Sequence, residues 1–165
     1  MENIAPALLE WFYKNQRILP FRTDPSPYHV WLSEIMLQQT RVSAALPYYE
    51  RFLAALPDIP ALAACEEEKL RKLWEGLGYY SRVRNMQAAA GQIVKRGGFP
   101  QTAEELKKLK GFGDYTAGAV ASIAFAQRAA AVDGNVLRVW TRMERVGESI
   151  KIPSVKRACT RAVLE

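Results

Sequence analysis

"LKGFGDYTAGAV", residues 109–120, decides how this chain is read. It follows the helix-forming "TAEELKKLK" of 102–110, sets Gly111 and Gly113 on either side of Phe112, and leads into "DYTAGAVASIAFAQ". A plain turn between helices fits this pattern, and so does a backbone cradle for an anion. Glycine tolerates positive φ and presents no side chain to an approaching group, so consecutive N–H donors beside a helix N-terminus can face a phosphate. The stretch therefore predicts a helix, a Gly-x-Gly hairpin and a second helix at about 102–126, with positive φ at both glycines and a long helix on each side. Such a unit grips a DNA backbone without reading bases.

Outward from the hairpin, the chain reads as helix after helix. "ENIAPALLEWFYKNQ" puts Ile4, Leu8, Trp11 and Phe12 on one stripe, and "YHVWLSEIMLQQT" begins after the loop holding Pro25 and Pro27. "RVSAALPYYERFLAAL" and "EEEKLRKLWEGL" carry apolar residues at spacings of three and four. "YYSRVRNMQAAAGQIVKRGG" ends on a glycine pair suited to a helix C-terminus, and Thr102 followed by Glu105 is a capping-box pattern. "NVLRVWTRMERVG" and a basic stretch from about Pro153 complete the series. "AAAVDG" could be extended, but no partner strand is in view. The expected fold is all-α, from short helices and tight loops.

Composition bounds the function classes. The 165 residues are 49% hydrophobic, with seven Tyr, six Phe and four Trp, enough for a sizeable core in one ordinary domain. A net charge of +6 and a pI near 9.4 fit nucleic acid without demanding it. Cys65 and Cys159 are too few for a disulfide framework or a four-ligand metal site, which points to a reducing compartment. No stretch is long and apolar enough for a membrane span, and the N-terminus lacks the basic start of a signal peptide, so a soluble cytoplasmic protein is the expectation, with a monomer the simpler guess.

Two carboxylates stand out. Glu34 lies inside the apolar "VWLSEIML", where a charge is costly unless paired or neutralised, and Asp133 sits between an apolar run and Gly134. Taken singly, Glu34 also fits the exposed face of an amphipathic helix and Asp133 an ordinary N-cap. His29, the sole histidine, reads as a surface or loop-packing residue.

Four motifs in order, "WLSEIMLQQTRV", "WEGLGYYSRVRN", "LKGFGDYTAGAVAS" and "VDGNVLRV", change these weights. Through most of residues 5–146 the chain resembles the adenine DNA glycosylases of the MutY type, in the helix-hairpin-helix, endonuclease III superfamily. The resemblance implies a six-helix barrel domain over 23–133. It also implies a second domain built from the N-terminal helix, 1–22, and the C-terminal part beginning at 134–165, with the active site in the cleft between the two. It makes Glu34 and Asp133 catalytic, with Asn135 beside them. It further implies that Gln39 and Tyr79 wedge into DNA, that Thr40, Gly111, Gly113 and Arg82 contact DNA, and that Arg22 and Leu37 line an adenine pocket. Arg84 is a further candidate for phosphate or base contact. Core packing for Leu37 and Tyr79, and a solvated face for the arginines, are the blander alternatives.

The implied reaction removes adenine mispaired with 8-oxoguanine or guanine in double-stranded DNA. Adenine is a poor anionic leaving group, so a carboxylic acid must protonate the ring while a second carboxylate stabilises the oxocarbenium-like sugar. Desolvation beside Val30, Trp31 and Leu37 would keep Glu34 protonated, and Asp133 would serve as the anion. The target base must be flipped out, at an unstacking cost of about a few kcal/mol.

Tyr115 separates neighbouring branches. The lyase branch carries a lysine two residues after the second glycine, whose amine attacks C1′; here a phenol occupies that place and cannot form the imine. The expected chemistry is thus monofunctional, the alternatives being an endonuclease III-type glycosylase/lyase or an inactive or DNA-binding-only module. Phe21 stands where the family usually has tryptophan. Full-length members continue into a four-cysteine loop holding a [4Fe–4S] cluster and a domain that recognises 8-oxoguanine. Cys65 and Cys159 lack that spacing, so no cofactor is expected within these residues, and the ligands are expected beyond residue 165. The chain reads as a fragment of low activity, its N-terminal helix short of a packing partner.

Overall fold

Apolar residues recurring at helical spacing, interrupted by Pro, Gly and capping residues, give eleven helices and no strand among the described residues, 4–165 of a computed structural model. Residues 1–3, which belong to the expected first helix and first domain, lie outside them. The helices are α1 (Ala5–Asn15), α2 (Pro20–Thr23), α3 (Pro27–Met36), α4 (Val42–Ala55), α5 (Ile59–Ala64) and α6 (Glu67–Trp74). They continue with α7 (Ser81–Lys95), α8 (Ala103–Leu106), α9 (Asp114–Phe125), α10 (Gly134–Met143) and α11 (Pro153–Leu164). Start signals are literal. Ser26 and Asp58 cap α3 and α5 by accepting from the His29 and Ala61 N–H groups, and proline stands in the first turn of α1, α2, α3, α5 and α11.

The main core gathers Trp31, Leu32, Met36, Phe52, Leu62, Leu70, Trp74, Met86, Leu106, Phe112 and Val120, with α3 packed on α9 and α5 on α7. Phe112 explains the residue between the two glycines. Its ring stacks on Trp31, centroids 4.9 Å apart and planes at 28°, so the hairpin tip is pinned into the core by its own side chain. A second, smaller cluster of Val132, Leu137 and Cys159 joins α10 to α11.

The N-terminal stripe is helical but faces solvent. α1 has no buried residue, and Leu8, Leu9, Trp11 and Tyr13 are all more than half exposed. The "AAAVDG" segment is neither helix nor paired strand; residues 126–133 cross α9 as an irregular connection.

Candidate active site and nucleic-acid interface

The hairpin differs in detail from its expected form. α8 is a single turn, capped by Thr102 Oγ1 accepting from the Glu105 N–H at 3.3 Å, and residues 107–111 are turns rather than the end of a long helix. Leu109 alone of that stretch is buried in the main core, between the lysines 107, 108 and 110. Gly111 has φ of 79°, and a Cβ there would stand 2.8 Å from Asn85 Cβ, so this position requires glycine on two counts. Gly113 does not take positive φ. At φ −91° and ψ 175° it is the extended N-cap of α9, with open space where a Cβ would stand.

The donors are not an unbroken row either. The Lys110 N–H donates to Gln92 Oε1 at 2.9 Å and the Phe112 N–H to the Leu109 carbonyl at 3.2 Å, because the loop must be fastened to α7 and to itself. What remains for an anion is the start of α9, whose first-turn N–H groups have no side-chain cap. Asp114 shares this turn, its carboxylate 3.9 Å from both Lys107 Nζ and Lys156 Nζ.

Tyr115, in the first turn of α9, meets Glu34 across the α3–α9 packing. Desolvation by burial raises the Glu34 pKa most strongly; hydrogen bonding from the Tyr115 side chain opposes this, and the Asp133 charge adds to it. The Tyr115 phenol is pushed up by burial, then by Glu34 and Asp133. These mutual electrostatic effects put Glu34, Tyr115 and Asp133 at one place, although they are separated in sequence and come from α3, α9 and the approach to α10.

Gly118, one turn beyond Tyr115, brings that approach in. A Cβ on Gly118 would lie 2.0 Å from the Ala130 carbonyl oxygen, so only glycine lets residues 129–132 lie flat on α9 and deliver Asp133 beside Tyr115. Sequence reasoning gave Gly118 no role; a buried glycine among the small residues of "TAGAV" is the signal that was there.

Asp133 is both an N-cap and a member of this cluster. Oδ1 accepts from the Asn135 and Val136 N–H groups at 2.9 and 2.8 Å, and Oδ2 accepts from the Asn135 side-chain amide at 2.9 Å. Three donors at a helix N-terminus suit a carboxylate. Asn135 in turn accepts from the Arg138 guanidinium through Oδ1, so its amide is oriented from both ends.

Gln39 and Tyr79 share a conformation that the sequence did not announce. Both are exposed, and both are non-glycine residues at positive φ, 66° and 48°. Non-glycine residues populate this region sparsely, and Ala126 and Arg145, both at φ 52°, share it just past the ends of α9 and α10. Thr40 lies half-buried in the same turn as Gln39, its N–H directed at the Leu37 carbonyl. Leu37 caps α3 and is half-buried against the main core.

The arginines divide. Arg82 turns toward backbone carbonyls: Nη1 donates to those of Ile35 and Gln38 at 3.0 and 2.7 Å, and Nη2 to those of Leu77 and Gly78 at 3.0 and 3.3 Å. Both terminal nitrogens are thus satisfied inside the protein, while Nε is buried without a partner. Arg84 is exposed on α7. Arg22 is exposed on α2, donates to the Arg17 carbonyl at 3.3 Å and lies 5.6 Å from the Phe12 ring centroid. His29 pairs with the Asp24 carboxylate at 2.9 Å beside the Tyr49 ring, a loop-packing role.

No group of three His, Cys, Asp or Glu among the described residues could hold a metal ion, and no described helix is long and apolar enough to cross a membrane. Cys159 is buried in the small α10–α11 cluster and Cys65 is half-buried beside α6, so the residues present do not fit an iron–sulfur cluster.

Residues 32–163 match the HhH-GPD superfamily of base excision DNA repair proteins, and the chain belongs to that superfamily. It is 46% identical over 151 residues to an adenine DNA glycosylase of Mus musculus, 85% of this chain and 29% of that protein. The adenine DNA glycosylase of Homo sapiens is 44% identical over 152 residues. That of Buchnera aphidicola subsp. Baizongia pistaciae is 40% identical over 139, covering 82% of this chain and 39% of the relative. The chain thus spans less than half the length of these relatives. In fold it is similar to a thermostable thymine-DNA glycosylase, with a TM-score of 0.84 at 23% identity, covering 96% of this chain and 74% of that one. A trapped endonuclease III–DNA covalent intermediate gives a TM-score of 0.73 at 24% identity, covering 96% and 80%.

Proposed function

We propose that this chain is the catalytic core of a monofunctional DNA glycosylase that hydrolyses the N-glycosidic bond of adenine mispaired with 8-oxoguanine or guanine. The observation that carries the reading is the convergence of Glu34, Tyr115 and Asp133, two carboxyls of different environment about one position where lyases need an amine. Similarity to adenine DNA glycosylases supports the choice of base.

Glu34, its pKa raised by burial, delivers a proton to the adenine ring as the bond to C1′ breaks. Asp133, fixed by three N–H donors, faces the positive charge that develops on the sugar and positions the water that adds to it. Asn135 holds the Asp133 carboxylate in orientation. Tyr115 offers no amine for a Schiff base, so the reaction ends at base removal. The uncapped start of α9 holds a phosphate, with Gly113 leaving room for it, while Gln39 and Tyr79 enter the stack and the adenine moves toward Leu37 and Arg22. No step passes through an iron–sulfur cluster. The small α10–α11 cluster, separate from the main core, supports a second domain that includes 134–165.

One observation favours a second reading, DNA binding without turnover: α1 buries nothing, so the far wall of a two-domain cleft has little to hold it. Adenine release from a duplex containing one A:8-oxoguanine pair, followed by chromatography, separates the two. Release by this chain supports the enzyme; duplex binding with no release over many hours favours the binding module.

A further inference from the structure

Gln39 and Tyr79 lie about forty residues apart in sequence, yet each immediately follows a carbonyl bound by the same guanidinium. Arg82 Nη1 takes the Ile35 and Gln38 carbonyls, and Nη2 takes those of Leu77 and Gly78. The carbonyl of one residue lies in the peptide plane that sets φ of the next. Holding Gln38 and Gly78 by their oxygens therefore anchors the peptide plane from which the left-handed φ of Gln39, 66°, and of Tyr79, 48°, is measured. Non-glycine residues keep such conformations only where their surroundings over-determine them. The guanidinium carbon also lies 5.4 Å from the Tyr79 ring centroid and 5.8 Å from that of Trp74, so it supports the ring as well as the turn.

We propose that Arg82 is a positioning residue that locks the Gln39 and Tyr79 turns together as one rigid wedge for opening duplex DNA. The proposal rests on the glycosylase reading and adds the device that makes two loops act at once. A planar fork with donors on both ends can span two turns; a lysine ammonium, a single point of charge, cannot. With its donors turned inward, Arg82 leaves the phosphates to other groups.

The test compares this chain with Arg82→Lys on a duplex carrying 2-aminopurine beside the adenine of an A:8-oxoguanine pair. The expected result is duplex affinity within about threefold of wild type and an unchanged salt slope, with a fluorescence rise on unstacking slowed roughly tenfold or more. A duplex with the adenine opposite an abasic site, already unpaired, should restore the Lys variant's signal. Gln39→Ala and Tyr79→Ala, both at exposed positions, give a second measure that does not rely on Arg82 variants folding. If the turns act as one wedge, the double variant loses little more than either single one. Several outcomes overturn the proposal. One is a salt slope reduced by about 1 with unstacking at the wild-type rate, which would make Arg82 a phosphate contact. Another is strict additivity of the two alanine variants. A wild-type chain that binds the duplex while the probe stays quenched defeats the glycosylase reading, and this proposal with it. Wild-type unstacking matched by Arg82→Lys defeats this proposal alone.

Discussion

No side chain fits between Gly118 and the backbone of Ala130: a Cβ on the glycine would lie 2.0 Å from the Ala130 oxygen and 2.7 Å from its carbonyl carbon. This contact lets the segment after α9 fold back along the helix, and Asp133 is placed three residues beyond it. The site thus depends on a residue that performs no chemistry.

Gly118→Ala tests that dependence. The added methyl meets backbone, which cannot rotate away, so the segment must lift off α9. The expected cost is about 1–3 kcal/mol, as for overpacking elsewhere, seen as a melting temperature lower by several degrees, with base release reduced further than the stability loss accounts for. Unchanged release would mean that Asp133 does not need this approach.

Glu34→Gln should affect stability in a pH-dependent way. Burial raises the Glu34 pKa above its ordinary 4.5, so between 4.5 and the folded-state value the native protein binds more protons than the unfolded chain. Stability contributed by this group then falls as pH rises through that window, and above it the protein carries a buried charge. Glutamine removes that charge. The variant should melt higher than wild type near pH 7, with the gain shrinking as pH is lowered toward 4.5. A gain independent of pH would argue against a raised pKa.

Much of the fold was legible because its signals are local. The proline-led starts, Thr102 with Glu105 and the apolar stripes require only neighbours in sequence, and the all-α architecture followed from them. The short helices α2 and α5 escaped notice, being too short to show a period. Within the site, residue types were legible and contacts were not. Glu34 and Asp133 were recognisable as acids in unusual surroundings. By contrast, the turn of Arg82 toward carbonyls, the left-handed backbone at Gln39 and Tyr79, and the closeness of Gly118 to Ala130 all arise from segments remote in sequence. The expectation of positive φ at Gly113 failed for a related reason: once Phe112 is drawn into the core against Trp31, one left-handed residue, Gly111, completes the turn.

Tyr115→Lys places an amine beside Glu34 and Asp133. Borohydride added during reaction with the A:8-oxoguanine duplex should then trap a covalent protein–DNA adduct, visible as a shifted band on a denaturing gel, whereas the wild type gives none. Absence of the adduct from a folded, DNA-binding variant would remove residue 115 from the vicinity of the sugar.

Asp114 sets a negative charge in the turn proposed to hold a phosphate, only loosely paired with Lys107 and Lys156. Asp114→Asn should strengthen duplex binding by roughly threefold to tenfold at low salt, as expected for loss of one exposed repulsive charge. The advantage should fade as the ionic strength approaches 1 M, where the screening length is about 3 Å. Weaker binding would place the DNA backbone elsewhere.

Single-turnover release of adenine from an A:8-oxoguanine duplex measures the joint action proposed for Glu34 and Asp133. Wild type, Glu34→Gln and Asp133→Asn are compared under conditions where all three bind the duplex. The expected result is measurable release by wild type and a loss of at least about a hundredfold in each variant, the scale of a lost general acid or charge stabiliser. Wild-type release that survives either substitution would contradict it.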